Sequence, residues 1–188
     1  MRDKISDILL ESIQVKEAIL RTQLGKIKEI ADLVIESLRG KGKVIVFGNG
    51  GSASDSQHIA AELVGRFKKD RAALPAISLT TNTSILTAVA NDYGYDMVFA
   101  KQIEALGGKN DVVIGISTSG KAKSVLNGIK QAKKMGMRTV ALTGGDGGEL
   151  AKIADVTLIV PSAVTARIQE AHITVGHIVC ELAEEALS

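Results

Sequence analysis

His58 and Glu62 stand four residues apart in "DSQHIAAELVGRF". On a helix that spacing puts an imidazole and a carboxylate on one face, one turn apart. Such a pair can share a metal ion such as zinc or divide acid and base roles. An ordinary surface pair has the same spacing. Directly before them, "VFGNGGSAS" (46–54) is an apolar run entering a Gly/Ser turn. Glycines let backbone approach a ligand, and a helix start aims free N–H groups at an anion.

The chain's other histidines, His172 and His177, both fall near its end, close to Gln169 and Glu170. His172 lies in an apolar seam and is expected to be a packed or interface histidine. His177 follows Gln169 by eight residues, a rise of about 12 Å along a helix. The two reach one ion only if it lies between them along a groove; otherwise they serve different subunits.

Two further loops carry small polar residues, "STSGKAKS" (117–124) and "TGGDGGE" (143–149). With the first loop they suggest a cradle for a phosphorylated small molecule. Plain turns with Ser as helix cap are the alternative. Gly48, Gly50 and Ala53 formally match the dinucleotide pattern G-x-G-x-x-[GA], but "AISLTTN" lacks the acidic residue that should end the next strand. There is no Walker sequence either, so a nucleotide is not expected. Asn91 and Asp92 in "AVANDYGYD" are placed to bind sugar hydroxyls, or simply form a polar helix end stopped by Gly94.

These residues need a scaffold, and the apolar pattern supplies one. Residues 3–39 read as helical, with Ile27, Ile30, Ala31, Val34 and Leu38 on one face; Gly25 is the expected break between two helices and Gly40 the end of the second. Five short runs follow, at 43–48, 76–80, 111–117, 139–144 and 155–161, rich in Val and Ile and separated by helical segments. Unbroken apolar strands alternating with helices predict a parallel sheet buried on both faces. A long helix is expected over 163–187. The result is one α/β domain over 1–188, with 1–40 as a helical N-terminal extension, and ligands bound at the carboxyl ends of the strands.

Composition narrows the classes further. The 188 residues are 45% apolar and 23% charged, with net charge +2, so bulk charge does not point to nucleic acid or an anionic membrane. Aromatics make up only 3%, too few for a base-stacking platform. The single Cys180 cannot form an internal disulfide, which fits a reducing cytoplasm. The N-terminus lacks a signal peptide's apolar core, and no run approaches a membrane span.

Taken together, "FGNGGSASDSQHIAAELVGRF", "VANDYGYD", "GISTSG", "ALTGGDGGEL" and "ARIQEAHI", with His177 beyond, resemble the phosphoheptose isomerases, a family of sugar isomerase (SIS) domain proteins. The resemblance covers nearly the whole chain. It implies a three-layer, flavodoxin-like sandwich with a five-stranded parallel sheet. The implied reaction interconverts sedoheptulose 7-phosphate and glycero-manno-heptose 7-phosphate, an early step toward the heptose of surface glycans. It further implies a cytoplasmic homotetramer with sites between subunits, packed through the N-terminal helices, and a zinc ion. By position, His58, Glu62, Gln169 and His177 match the metal ligands, and Glu62 and His177 the acid/base pair. Asn49, Gly50, Gly51, Ser52, Asn91, Asp92, Ser117, Thr118, Ser119 and Gln169 match substrate contacts, with Glu62 also in reach and Arg66 nearby. Two positions depart from the pattern. Ala122 stands where some members have a phosphate-binding Ser, leaving Ser124 or Lys121 to compensate, and Ala166 stands where some have Asp. Replication initiator-associating proteins resemble the same pattern without catalysis, but typically lack His at the position of His177. A regulatory sugar-phosphate sensor is a further alternative.

Overall fold

The computed structural model describes residues 1–188. Two helices, α1 (Arg2–Thr22) and α2 (Leu24–Arg39), precede a repeating strand–helix pattern. The strands are β1 (Val44–Gly48), β2 (Ala76–Ser78), β3 (Val112–Ile116), β4 (Arg138–Gly144) and β5 (Val156–Val160). Between them lie α3 (Gly51–Val64), α4 (Thr83–Tyr93), a 3-10 turn (Tyr95–Met97), α5 (Val98–Leu106), α6 (Lys123–Lys134) and the short α7 (Leu150–Ile153). The chain ends in α8 (Thr165–Leu187). One expectation shifts: the helix break falls at Gln23, whose N–H closes α1 on Ile19, and Gly25 sits inside the first turn of α2. A glycine weakens a helix but does not by itself stop one.

All strands pair in parallel, in the order β2-β1-β3-β4-β5. Every residue of β1 and β3 is buried. Alternate side chains serve opposite faces, as strand geometry requires. Val44 and Val46 join α2, α3 and α8 through Ile30, Val34, Leu63 and Val179. Ile45 and Phe47 join α5 and α6 through Phe99, Ile103, Val125 and Ile129. This is the three-layer, doubly covered parallel sheet expected from the unbroken apolar runs. No helix is long and apolar enough to cross a membrane.

The strand order decides where ligands go. The chain leaves β1 toward β2 on one side and later returns to place β3 on the other. At such a switch point the loops after the two strands diverge and open a crevice at their carboxyl ends. Those loops are "GNGGSAS" and "STSGKAKS".

Candidate active site

The crevice is built from two helix starts. Gly50, at φ 57°, turns β1 into α3, a left-handed conformation that glycine adopts without strain. Neither α3 nor α6 has a side-chain cap, and neither has an acidic residue in its first turn. Helix starts of this kind attract anions. Between them lies a cavity of about 150 Å³ lined by Asn49, Ser52, Ile116, Ser117, Thr118, Ser119, Ala122 and Gln169. Thr118 and Ser119 also border a second cavity of about 230 Å³, where Lys121 approaches Asp146 at 3.9 Å. Lys121 therefore serves the second cavity. Ser124 is the residue tied to the first, accepting a hydrogen bond from Asn49 Nδ2 at 3.0 Å.

Gln169 reaches this crevice because α8 is held in place. Arg167 donates to Glu170 (2.9 Å) and to Glu11 of α1 (3.2 Å), and Ser12 donates to Glu170 (2.7 Å). The residues on either side of Gln169 thus bind the N-terminal helix. Gln169 itself packs against Gly51 so closely that a Cβ there would lie 2.5 Å from its Nε2.

About two to three turns further along α3, a second group converges. His58 Nε2 lies 3.0 Å from Glu62 Oε1 and 3.2 Å from His177 Nε2. Donor atoms of all three residues fall within 4.8 Å of one another. Tetrahedral zinc with bonds of about 2.0–2.1 Å separates its ligands by roughly 3.3 Å. The His58–Glu62 and His58–His177 spacings match edges of such a tetrahedron. The donor set suits a divalent ion of intermediate softness. Phe67 packs on the His177 ring with centroids 5.5 Å apart. His177, His58 and Glu62 meet within one chain; a second subunit is not needed to bring them together.

Other expected residues fare differently. Asn91 and Asp92 are exposed at the end of α4, bonded to each other at 2.8 Å, and line none of the described cavities. Arg66 is exposed and forms no ion pair, and Ala166 is exposed on the first turn of α8. His172 is fully buried, as its apolar seam predicts, with Nε2 3.1 Å from the Thr143 carbonyl.

Several residues escaped the sequence reading. Tyr95 donates its hydroxyl to Asn49 Oδ1 at 2.8 Å. Asp55 lies on the face of α3 between Gly51 and His58; its Oδ2 is buried without a hydrogen-bond partner, and burial pushes its carboxyl up against the opposing effect of His58. Arg71 donates to the Glu62, Leu63 and Gly65 carbonyls at the end of α3 and pairs with Glu184 of α8. A Glu inside the apolar stripe of the last helix was the one available signal for the Glu184 anchor.

The crevice at the sheet switch point, flanked by Ser/Gly loops, defines a SIS domain, and the SIS domain family model matches residues 9–144. The chain is 54% identical to a phosphoheptose isomerase of Aquifex aeolicus, over 98% of this chain and 97% of that one. Its fold superposes on phosphoheptose isomerase GmhA from Neisseria gonorrhoeae with a TM-score of 0.93, at 42% identity over 98% of both chains. A phosphoheptose isomerase from Francisella tularensis gives 0.94, at 38% identity over 97% of both. The chain belongs to the phosphoheptose isomerase family of SIS-domain proteins. That membership makes it an isomerase and sets aside the non-catalytic reading.

Proposed function

We propose that the protein interconverts D-sedoheptulose 7-phosphate and D-glycero-D-manno-heptose 7-phosphate through an enediol, supplying heptose for a surface glycan. The observation that carries this reading is continuity. One helix, α3, opens at the Ser/Gly cradle and delivers His58 and Glu62 to His177 further along the same groove. A phosphate held at the helix start leaves the sugar's far end over those groups.

The ketose loses a proton from C1 and regains one at C2, while a proton passes between the two oxygens. Glu62 carries the carbon proton. Its Oε1 faces His58, and its Oε2 forms no hydrogen bond within the chain, so one oxygen stays available as base. His177 serves the oxygens. Asn49, Gly50, Gly51, Ser52, Ser117, Thr118, Ser119 and Gln169 hold the phosphate and sugar. His58, Glu62, His177 and Gln169 would hold one zinc ion per subunit, which supplies polarisation of the carbonyl–hydroxyl pair.

The chain forms one domain and works as a cytoplasmic homotetramer. Ile5, Leu9, Leu10, Ile13, Leu20 and Leu24 are exposed on the N-terminal helices, an apolar face suited to packing between subunits. Asn91 and Asp92, exposed and outside this chain's cavities, are offered to a site completed by a neighbour. The test is incubation with sedoheptulose 7-phosphate, with and without chelator, reading formation of the aldoheptose phosphate. Binding without turnover would convert the reading to a sugar-phosphate sensor.

A further inference from the structure

We infer that Tyr95 is a positioning residue that turns the amide of Asn49 so that its donor end faces the phosphate cavity. Asn49 is held from two sides. Its Oδ1 accepts from the Tyr95 hydroxyl at 2.8 Å, and its Nδ2 donates to Ser124 Oγ at 3.0 Å. Asn49 also lines the cavity shared with Ser117, Thr118 and Ser119. A side-chain amide has an acceptor end and a donor end of nearly equal size, so its neighbours decide which end points where.

Serine could satisfy either end of the amide. A phenol is more acidic than an alkyl hydroxyl and is the better donor, so Tyr95 favours the oxygen. With Oδ1 claimed, Nδ2 faces Ser124, and its second hydrogen is left for a ligand. The reversed amide would present an oxygen to an anionic group. Tyr95 thus selects for a phosphate without touching it.

The tyrosine can do this because its own turn is fixed. Asn127 of α6 donates to the Asp96 carbonyl at 3.0 Å. Gly94, at φ 85°, releases the chain from α4 into that turn. Ser124 is buried in the first turn of α6. The loop after β1, the 3-10 turn and α6 therefore close a circuit around one amide.

The inference rests on reading that cavity as the phosphate cradle, and two probes keep the two ideas separable. Inorganic phosphate is measured as a ligand by calorimetry, and sedoheptulose 7-phosphate as a substrate by turnover. Tyr95→Phe removes one oxygen and keeps the ring. It should weaken phosphate binding and raise KM about three- to tenfold, the range for one lost hydrogen bond, with kcat within about twofold and a melting temperature within a few degrees of wild type. In an Asn49→Ala background the same change should have no further effect on phosphate affinity. Unchanged phosphate affinity in Tyr95→Phe overturns the inference. So does an effect that persists undiminished in the Asn49→Ala background. If the wild type binds phosphate but turns over no heptulose, the proposed reaction fails while the phosphate arm still reports on Tyr95.

Discussion

His177 Nε2 lies 3.2 Å from His58 Nε2, although 119 residues separate the two in the chain. Two ring nitrogens facing each other at this distance, with Glu62 Oε1 3.0 Å from one of them, share too few protons to satisfy one another. A divalent cation bound between them would resolve the conflict. We expect about one zinc per chain by elemental analysis of metal-loaded protein. His58→Ala should weaken zinc affinity by at least about 100-fold, since even loss of an outer-shell partner costs about 10–100-fold. Zinc bound with equal affinity by His58→Ala would remove His58 from the metal's coordination.

Glu62 is asked to move the carbon proton, so its loss should strike turnover more than binding. Glu62→Gln keeps size and hydrogen-bonding reach but cannot act as a base. We expect kcat to fall by roughly 10²–10⁴-fold, with substrate affinity, measured by calorimetry, within a few-fold of wild type. Near-normal turnover in this variant would show that another group takes the proton.

Much of this was legible in the sequence, and the reasons are physical. Strands such as "KVIVFG" and "DVVIGIS" are apolar on both faces because both faces are covered, so the parallel sheet could be read without knowing the contacts. His58 and Glu62 were legible because four residues make one helical turn. Their approach to His177 came only from the family resemblance, because a distance between α3 and α8 is set by packing rather than by spacing. Tyr95 and Arg71 were hidden for the same reason. Each lies in or beside a turn, and its partner is found only once distant elements meet. The helix break at Gln23 instead of Gly25 reflects the usual weakness of boundary signals.

Glu184 should prove a main anchor of the α3–α8 interface. Its carboxylate accepts the backbone N–H groups of Phe67, Lys68 and Lys69 at 3.0, 2.8 and 2.7 Å and pairs with Arg71 at 3.2 Å. Burial would push its carboxyl up, but these donors and Arg71 outweigh burial and hold it below the usual range. Removing either partner strands the other in a buried site. Glu184→Ala should lower the melting temperature on the order of 10 °C. Arg71→Ala should do much the same, and the double variant little more than either. Additive losses would mean that the two do not work as a unit.

His172 gives the fold an acid-sensitive element. Burial lowers its pKa from 6.5 to about 4, against the smaller opposing effect of its bond to the Thr143 carbonyl. Nδ1 is buried with no hydrogen-bond partner, so a proton there has nothing to bind. Above pH 6.5 the ring is neutral in both folded and unfolded chains and contributes no pH dependence. As pH falls from 6.5 toward 4, the unfolded chain takes up a proton that the folded chain refuses, and stability drops. The loss amounts to about 3 kcal/mol by pH 4. Denaturant titrations between pH 7 and pH 4 should show this slope, and His172→Gln, which can still donate to the Thr143 carbonyl, should flatten it. An equal slope in both proteins would assign the acid sensitivity elsewhere.

Gly51 separates folding from function most cleanly. Its φ is ordinary for a helix, so alanine is allowed on backbone grounds and favoured by helix propensity. The obstacle is one side chain: the new Cβ would lie 2.5 Å from Gln169 Nε2 and 2.9 Å from its Cδ. Gln169 is flexible at its far end and can swing away, so the fold should survive with a melting temperature within a few degrees of wild type. Its amide, however, is then displaced from the cavity it lines with Asn49 and Ser52. Gly51→Ala should therefore cost at least tenfold in kcat/KM, the penalty expected when one substrate-positioning group is moved by about an ångström. Gln169→Ala should cost a similar amount, and combining the two should add little, because the added methyl group acts by displacing the glutamine while the Gly51 backbone stays in place. Full activity in Gly51→Ala would show that Gln169 does not need its present place to serve the reaction.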